Sequence, residues 1–407
     1  MSNNVPETLL AKSKRKSRLN PNNEITVSLQ EHSVDTARCA EFIFRLDKRW
    51  GRNWCRFFGI REEERERFLL NLKIAALFHD IGKANEDFYR AVTSATFSPQ
   101  SVRHEHLSAL ILFLPQVRNW LAQNAALDLD VITAAVLSHH LKAFHKAEPE
   151  NYGWCAPRGR QVIPLFLQHP EVGQIFERVK GVAGLGERPN LPFTNWGGHS
   201  PYQEARDAGL KAANAFRRQV AKDRNRLSLL LAIKAGVMVA DAASSGLVRE
   251  EQSIEAWIND VVHKEENLTA NALAEAILNP RTQQIAARTQ KPFIYGDFQK
   301  QIAGQGHRVL LLAACGAGKT LAAWKWAEAQ TNEYEIGKVI FLYPTRGTAT
   351  EGFRDYVGWA PEAEAALDHG TSAYELEAMQ ENPSEALRGK THELSETEER
   401  LYAQGLW

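Results

Sequence analysis

The segment ALFHDIGKANEDF, residues 76–88, sets a histidine and an aspartate side by side in an otherwise apolar helical run. Few folds accept that pair. At spacings of three and four, Leu69, Leu72, Ala76, His79 and Lys83 share one stripe, so His79 stands where a core leucine is expected. Asp80 lies about 100° further round the helix. A buried carboxylate is costly unless it is paired or holds a cation. His beside Asp offers one nitrogen and one oxygen ligand to a divalent ion. Gly82 is expected to loosen the helix and let Lys83 reach the same pocket. Two ligands do not hold a metal, so the fold must bring others to them.

Four further segments offer them. His32 falls in the first turn of HSVDTARCAEFIFRL, where Val34, Ala37, Phe42 and Phe44 are apolar. His104 heads RHEHLSALILFL with Ser108 four residues on and Leu112 four beyond, while His106 lies on another face of that helix. His139 and His140 end AALDLDVITAAVLSHHL, where Ile132, Val136 and His139 or His140 share a face. Asp241 sits on the stripe of Lys234 and Val237 inside LSLLLAIKAGVMVADAASSGLV. One histidine on an apolar face is most often a satisfied core residue. Five helical segments, each with a His or Asp facing inward, are what a helical bundle with a metal site in its core requires.

The ordered set HSVDTA, HDIGK, RHEHLSAL, SHHL and ADAAS, over roughly the first 250 residues, resembles the HD phosphohydrolase superfamily, and more closely the HD nuclease domain of the CRISPR-associated type I nuclease-helicases. Carried over by position, the resemblance implies that His32, His79, Asp80, His104, His139, His140 and Asp241 are metal ligands, with Asp80 and Lys83 in the catalytic step. It implies single-stranded DNA as substrate and a CRISPR type I surveillance complex as partner. Seven ligands exceed one tetrahedral site, and Asp80 could bridge two cations about 3.5–4 Å apart, the arrangement that clamps an in-line displacement at phosphorus. Imidazole-rich ligation favours manganese, iron, nickel or cobalt over magnesium. The segment with Trp50, Trp54, Phe57 and Phe58 among Arg49, Arg52 and Arg56 could stack bases, although packing aromatics give the same pattern.

A chain of 407 residues, 44% of them hydrophobic, can bury cores in two domains. With 49 basic and 49 acidic residues no global field draws it to nucleic acid, so such binding rests on local patches. Lys12, Lys14, Arg15, Lys16 and Arg18 form one candidate, in a segment, 1–24, expected to be a flexible tail. Cys39, Cys55, Cys155 and Cys315 are scattered without a CxxC, which argues against a zinc ribbon and fits a reducing cytoplasm. The polar N-terminus predicts no signal peptide. Lys234 and Asp241 interrupt the apolar residues 227–248, which favours a buried helix and no membrane association.

Asn279 and Pro280 break a polar helical stretch, so the HD domain is placed at 25–262, a linker at 263–290 and a second domain at 291–407. There RVLLLAA, residues 308–314, has strand length and is followed by CGAGKT and a helical LAAWKWAEAQ, the context of a phosphate-binding loop. Gly316, Ala317 and Gly318 would wrap backbone amides around phosphate, Lys319 would reach the terminal phosphates and Thr320 would hold magnesium. With Ala313 in place of the first glycine, the loop resembles AxxGxGKT of superfamily 2 helicases. KVIFLYPTRGTATEGF resembles their second strand, and Gln299 in YGDFQKQI their adenine-side glutamine. The expected fold is an α-helical HD-domain bundle followed by a partial α/β RecA-like P-loop domain that binds ATP with magnesium. No DExH or DExD follows Lys319 and the chain stops at LYAQGLW, so it reads as truncated, unable to unwind DNA and prone to associate at that end. A nucleotide phosphohydrolase and a non-catalytic docking module are the alternatives.

Overall fold

The computed structural model describes residues 5–17, 20, 22–94, 100, 102–140, 162–191, 195–196, 201–249, 252–263, 266–360 and 365–366. Arg18, Cys155, Leu406 and Trp407 lie outside them. Two compact units are present, Met1–Lys264 and Glu265–Trp407.

The first unit begins with a two-stranded antiparallel ribbon of β1 (Arg15–Lys16) and β2 (Glu24–Ile25), with Arg15 opposite Ile25. Helices α1 (Leu29–Ile43), α2 (Arg49–Phe58), α3 (Arg65–Phe78), α4 (Glu86–Thr93), α5 (His104–Phe113), α6 (Pro115–Leu121) and α7 (Leu129–Leu137) follow. After β3 (Ile163–Pro164) come α8 (Pro170–Ala183), β4 (Asn195–Trp196), which pairs antiparallel with β3, α9 (Pro201–Val220) and α10 (Arg224–Arg249). A short α11 (Ile254–Trp257) runs on into a π-helical turn, Ile258–Val262.

Local signals explain where the site-bearing helices start. Ser28 and Glu31 form a reciprocal capping box at the head of α1, which sets His32 in its first turn. Asp128 caps α7 by accepting from the Val131 amide and is itself held by Arg226 through two hydrogen bonds of 2.8 and 2.7 Å. Phe44, Phe68, Leu72, Leu77, Phe78 and Phe176 are fully buried between α1, α3, α8 and α10. Helix α10 is apolar and long enough to cross a membrane, but Leu229, Ala232, Ile233, Val237 and Ala240 pack one face of it into this core.

Three expectations need correction here. The helix of His79 ends at Phe78, and residues 81–83 form a separate 3₁₀ turn. Gly82 does not loosen a helix. It lets the turn lie against the backbone of α5, where its amide donates to Ser108 Oγ at 2.8 Å, and a Cβ there would strike the His104 carbonyl and the Ser108 amide. The N-terminal segment is also no loose tail. Leu9, Leu10 and Ala11 are buried, and main-chain bonds from Leu29 to Leu9 and from Ala11 to Val27 stitch them alongside the residues before α1. The aromatics of α2 divide: Trp54 packs on Phe44 and Phe58, at 4.7 and 4.9 Å between ring centroids, while Phe57 is 82% exposed.

The second unit opens with α12 (Ala270–Leu273), a π-helical turn, Ala274–Leu278, and α13 (Asn279–Thr289), followed by α14 (Asp297–Gln301), α15 (Lys319–Gln330) and α16 (Arg346–Trp359). The expected linker at 263–290 is therefore largely helix. Leu273, Ile277 and Leu278 pack in one cluster with Leu321, Trp324, Ala327 and Trp359. Pro280 does not break this run, because it sits in the first turn of α13, where its missing amide costs nothing. The anticipated strands at 308–314 and 338–343 carry no ladder among the described residues, and Leu312 and Leu342 stand 84% and 91% exposed. A parallel strand is stable only with paired neighbours and covered faces, and neither segment is paired among the described residues, although Val339 and Phe341 pack on the α15 side of the cluster.

Candidate metal centre

Five segments bring their ligands to one place in the first unit. Helix α3 and the turn after it supply His79 and Asp80, α1 supplies His32, α5 supplies His104, the turn after α7 supplies His139 and His140, and α10 supplies Asp241. His32, His79 and Asp241 form one triad of donor atoms and His104, His139 and His140 another, with all atoms of each triad within 4.8 Å of one another.

Asp80 lies between the two. Its Oδ2 is 3.2 Å from both His32 Nε2 and His79 Nε2, while Oδ1 is 3.1 Å from His104 Nε2 and 3.7 Å from His139 Nε2. Asp241 Oδ1 approaches His32 Nε2 at 3.2 Å and His79 Nε2 at 3.8 Å. Lys83 stands beside them with Nζ 2.5 Å from Asp80 Oδ2. All seven anticipated ligands and Lys83 are thus gathered at one site. His106 is not: its ring nitrogens have no hydrogen-bond partner, and burial pushes it down to about 4, so it stays neutral in the core.

The tautomers follow from the backbone. His79 Nδ1 lies 2.7 Å from the Ala76 carbonyl and His139 Nδ1 2.7 Å from that of Val136. A carbonyl only accepts, so each Nδ1 must donate its hydrogen, which leaves Nε2 as the ring nitrogen turned toward Asp80. Both histidines stand just beyond a helix end, where the carbonyl three residues back is unused.

Despite the short approaches, the Nε2 atoms of His32, His79 and His139 and Oδ1 of Asp80 are buried without a hydrogen bond. Buried polar atoms are normally satisfied, and here four that are not converge on the same space. Neutral imidazole nitrogens and carboxylate oxygens are the donor set of a divalent transition metal, so these residues fit such an ion.

The electrostatics match a charge-dense site. Burial opposes ionisation of Asp80, but His79, Lys83 and His104 outweigh it and hold its carboxyl well below the usual range. Asp241 is likewise held far down, against burial, by His32 and His79. Burial disfavours charge on His79, yet the Asp80 and Asp241 carboxylates push it up to about 10. Burial, reinforced by His79, pushes His139 down to about 3, and burial with His104 lowers His140.

In the second unit the residues of the anticipated phosphate loop also meet. Gly316 and Gly318 adopt left-handed φ angles of 78° and 86°, which glycine tolerates best, and α15 begins at Lys319. Gln299 is buried; its Oε1 accepts from the Gly296 amide at 2.9 Å and its Nε2 donates to the Gly318 carbonyl at 3.2 Å. Lys319 Nζ donates to the Ala313 and Ala314 carbonyls at 3.0 and 2.8 Å, and Ala317 and Thr320 lie exposed.

The family model described as Cas3, HD domain, matches residues 11–245, a span that includes every ligand of the metal centre. A CRISPR-associated nuclease/helicase Cas3 of Myxococcus xanthus (strain DK1622) is 31% identical over 311 residues, which cover 75% of this chain and 38% of that protein. A protein of the same name from Methanocaldococcus jannaschii is 22% identical over 312 residues, 74% of this chain and 40% of its own. The chain thus spans about two fifths of the length of these relatives. No solved structure matches it. With more than half of its residues under the family model and that model's span carrying the metal centre, the chain belongs to the Cas3 HD-domain family.

Proposed function

We propose that the chain is a metal-dependent nuclease of CRISPR type I interference that hydrolyses phosphodiester bonds in single-stranded DNA. The observation that carries this reading is the convergence of unpartnered His32, His79 and His139 nitrogens with Asp80 Oδ1, flanked by His104, His140 and Asp241. His32, His79, Asp80 and Asp241 would hold one divalent transition-metal ion, and Asp80, His104, His139 and His140 a second. Bound there, such ions supply a water acidic enough to act as nucleophile near neutral pH and positive charge for the phosphate oxygens.

The chain's own side chains do the rest. Ala76 and Val136 carbonyls fix the ring planes of His79 and His139. Lys83 keeps Asp80 ionised and presents a cation where a phosphate would approach. Single-stranded DNA fits a site whose histidines are part-buried at one edge, as His104 and His140 are, better than it fits a closed nucleotide pocket.

We also infer that Gly316–Thr320, with Gln299, bind ATP with magnesium. The left-handed glycines and the Gln299 contact to Gly318 support this. A type I surveillance complex as partner and a cytoplasmic setting belong to the same reading.

The test is cleavage of a single-stranded oligonucleotide by the metal-loaded chain, with manganese, iron, nickel and cobalt compared and mono- and dinucleotides as rival substrates. Asp80→Ala is expected to abolish cutting. Retained cutting in that variant, or faster turnover of the small nucleotides, overturns the assignment.

A further inference from the structure

Residues 9–12 lie one side chain away from both carboxylates of the candidate metal centre. Ala11 offers its carbonyl to Lys83 Nζ at 3.1 Å, and the same ammonium lies 2.5 Å from Asp80 Oδ2. The next residue, Lys12, donates from Nζ to Ser245 Oγ, and Ser245 Oγ donates in turn to Asp241 Oδ1 at 3.1 Å. Two consecutive residues therefore set one cationic chain on each acidic ligand, Asp80 through Lys83 and Asp241 through Ser245.

The segment is not there by accident of packing. Leu9, Leu10 and Ala11 are buried, the Leu9 amide donates to Glu171 Oε1 at 3.0 Å, and Ala11 N donates to the Val27 carbonyl at 2.9 Å. Ser245 follows Asp241 by one turn of α10, so its hydroxyl is placed by the same helix that places the ligand. A hydroxyl that receives an ammonium proton becomes a stronger donor, because successive hydrogen bonds polarise one another.

We propose that residues 9–12 are a strap that completes the metal centre, with Lys12 and Ser245 as positioning residues for Asp241 and the Ala11 carbonyl as the support of Lys83. Without the strap, Asp241 keeps Ser245 and its histidine neighbours, but the Ser245 hydroxyl loses the ammonium that orients it toward Oδ1. This inference rests on the metal reading above and extends it to groups that touch no ion.

The experiment titrates metal-free chain with Mn²⁺ alone by calorimetry and with Co²⁺ alone by its visible absorption. Ser245→Ala and Lys12→Met are expected each to weaken affinity about 10–100-fold, the usual cost of removing a group that orients a ligand, and to alter the cobalt bands. Ser245→Thr and Lys12→Arg are expected to restore both. Far-ultraviolet circular dichroism of each variant separates these losses from unfolding, and Asp80→Ala serves as the control that removes a ligand outright. Parental affinity and cobalt bands in Ser245→Ala and Lys12→Met, with Asp80→Ala defective, would refute the strap while leaving the metal centre standing. Absence of binding by the unaltered chain would remove both.

Discussion

Substitution of Asp80 by alanine is the sharpest probe of this molecule, because one carboxylate faces both triads and one buried lysine. Without metal, the Nε2 atoms of His32, His79 and His139 and Oδ1 of Asp80 have no hydrogen bond. An unmet buried polar atom costs about 1–3 kcal/mol, so these four represent on the order of 4–12 kcal/mol, of which bound cations recover a part. An ion present at 100 times its dissociation constant stabilises the folded state by about 2.7 kcal/mol. For a unit of this size that corresponds to a rise of about 5–11 °C in Tm. In Asp80→Ala the shift is expected to shrink to under about 2 °C, since neither triad keeps its shared oxygen ligand. The metal-free variant should also melt earlier than the parent. Lys83 is left with the Ala11 carbonyl and the Phe88 ring, and stripping the partner from a buried ion pair costs about 3–5 kcal/mol. The assay is a thermal melt followed by circular dichroism, on chelator-treated protein with and without Mn²⁺. An equal metal shift in parent and variant would place the cations elsewhere and refute the reasoning, as would no shift in the parent.

Gly82→Ala should lower the urea midpoint by an amount equivalent to about 3 kcal/mol, because the new methyl meets the main chain of α5 rather than a side chain that can move. Metal affinity should fall with it, since His104 leads that helix. Asp128 is buried, which alone would raise its pKa, but Arg226, the Val131 amide and Arg67 hold it below the ordinary value. Its folded-state pKa is thus lower than its unfolded one, so its contribution is present above about pH 4 and is lost as the pH falls through the lowered value. Urea midpoints measured from pH 6 to pH 2.5 should drop less steeply in Asp128→Asn than in the parent. Lys319→Ala is expected to weaken binding of a fluorescent ATP analogue about 10–100-fold, the range for losing a charge-assisted hydrogen bond, while leaving the Mn²⁺ melting shift unchanged.

The metal centre was legible because it breaks a rule of patterning. His79, Asp80 and Asp241 interrupt runs whose helical period is otherwise apolar, and a polar residue at a core position announces itself without any knowledge of the fold. What stayed hidden has no period. The strap of residues 9–12 looks like a basic tail, and its link from Lys12 to Ser245 joins residues 233 apart in sequence. Gly82 was read for its flexibility, whereas its use is the small volume it leaves for α5, a fact about a neighbour rather than about the segment itself. Pro280 carries the local signal of a break, and its place in the first turn of a helix depends on the π-helical turn before it. In the second unit, the glycine pattern of 316–318 reported local backbone geometry correctly, while 308–314 and 338–343 depend on neighbouring strands that local composition does not contain.

Asp80 turns one oxygen toward each triad, and under the proposed two-ion reading this would make ion loading a coupled process rather than two separate equilibria. Were both groups of ligands to hold a cation, His32, His79 and Asp241 on one side and His104, His139 and His140 on the other would draw on the same carboxylate, so the second ion would find less negative charge and a side chain already committed in direction. Titrations are therefore expected to resolve two unequal steps, and a stoichiometry of one at limiting metal would mean a half-filled centre.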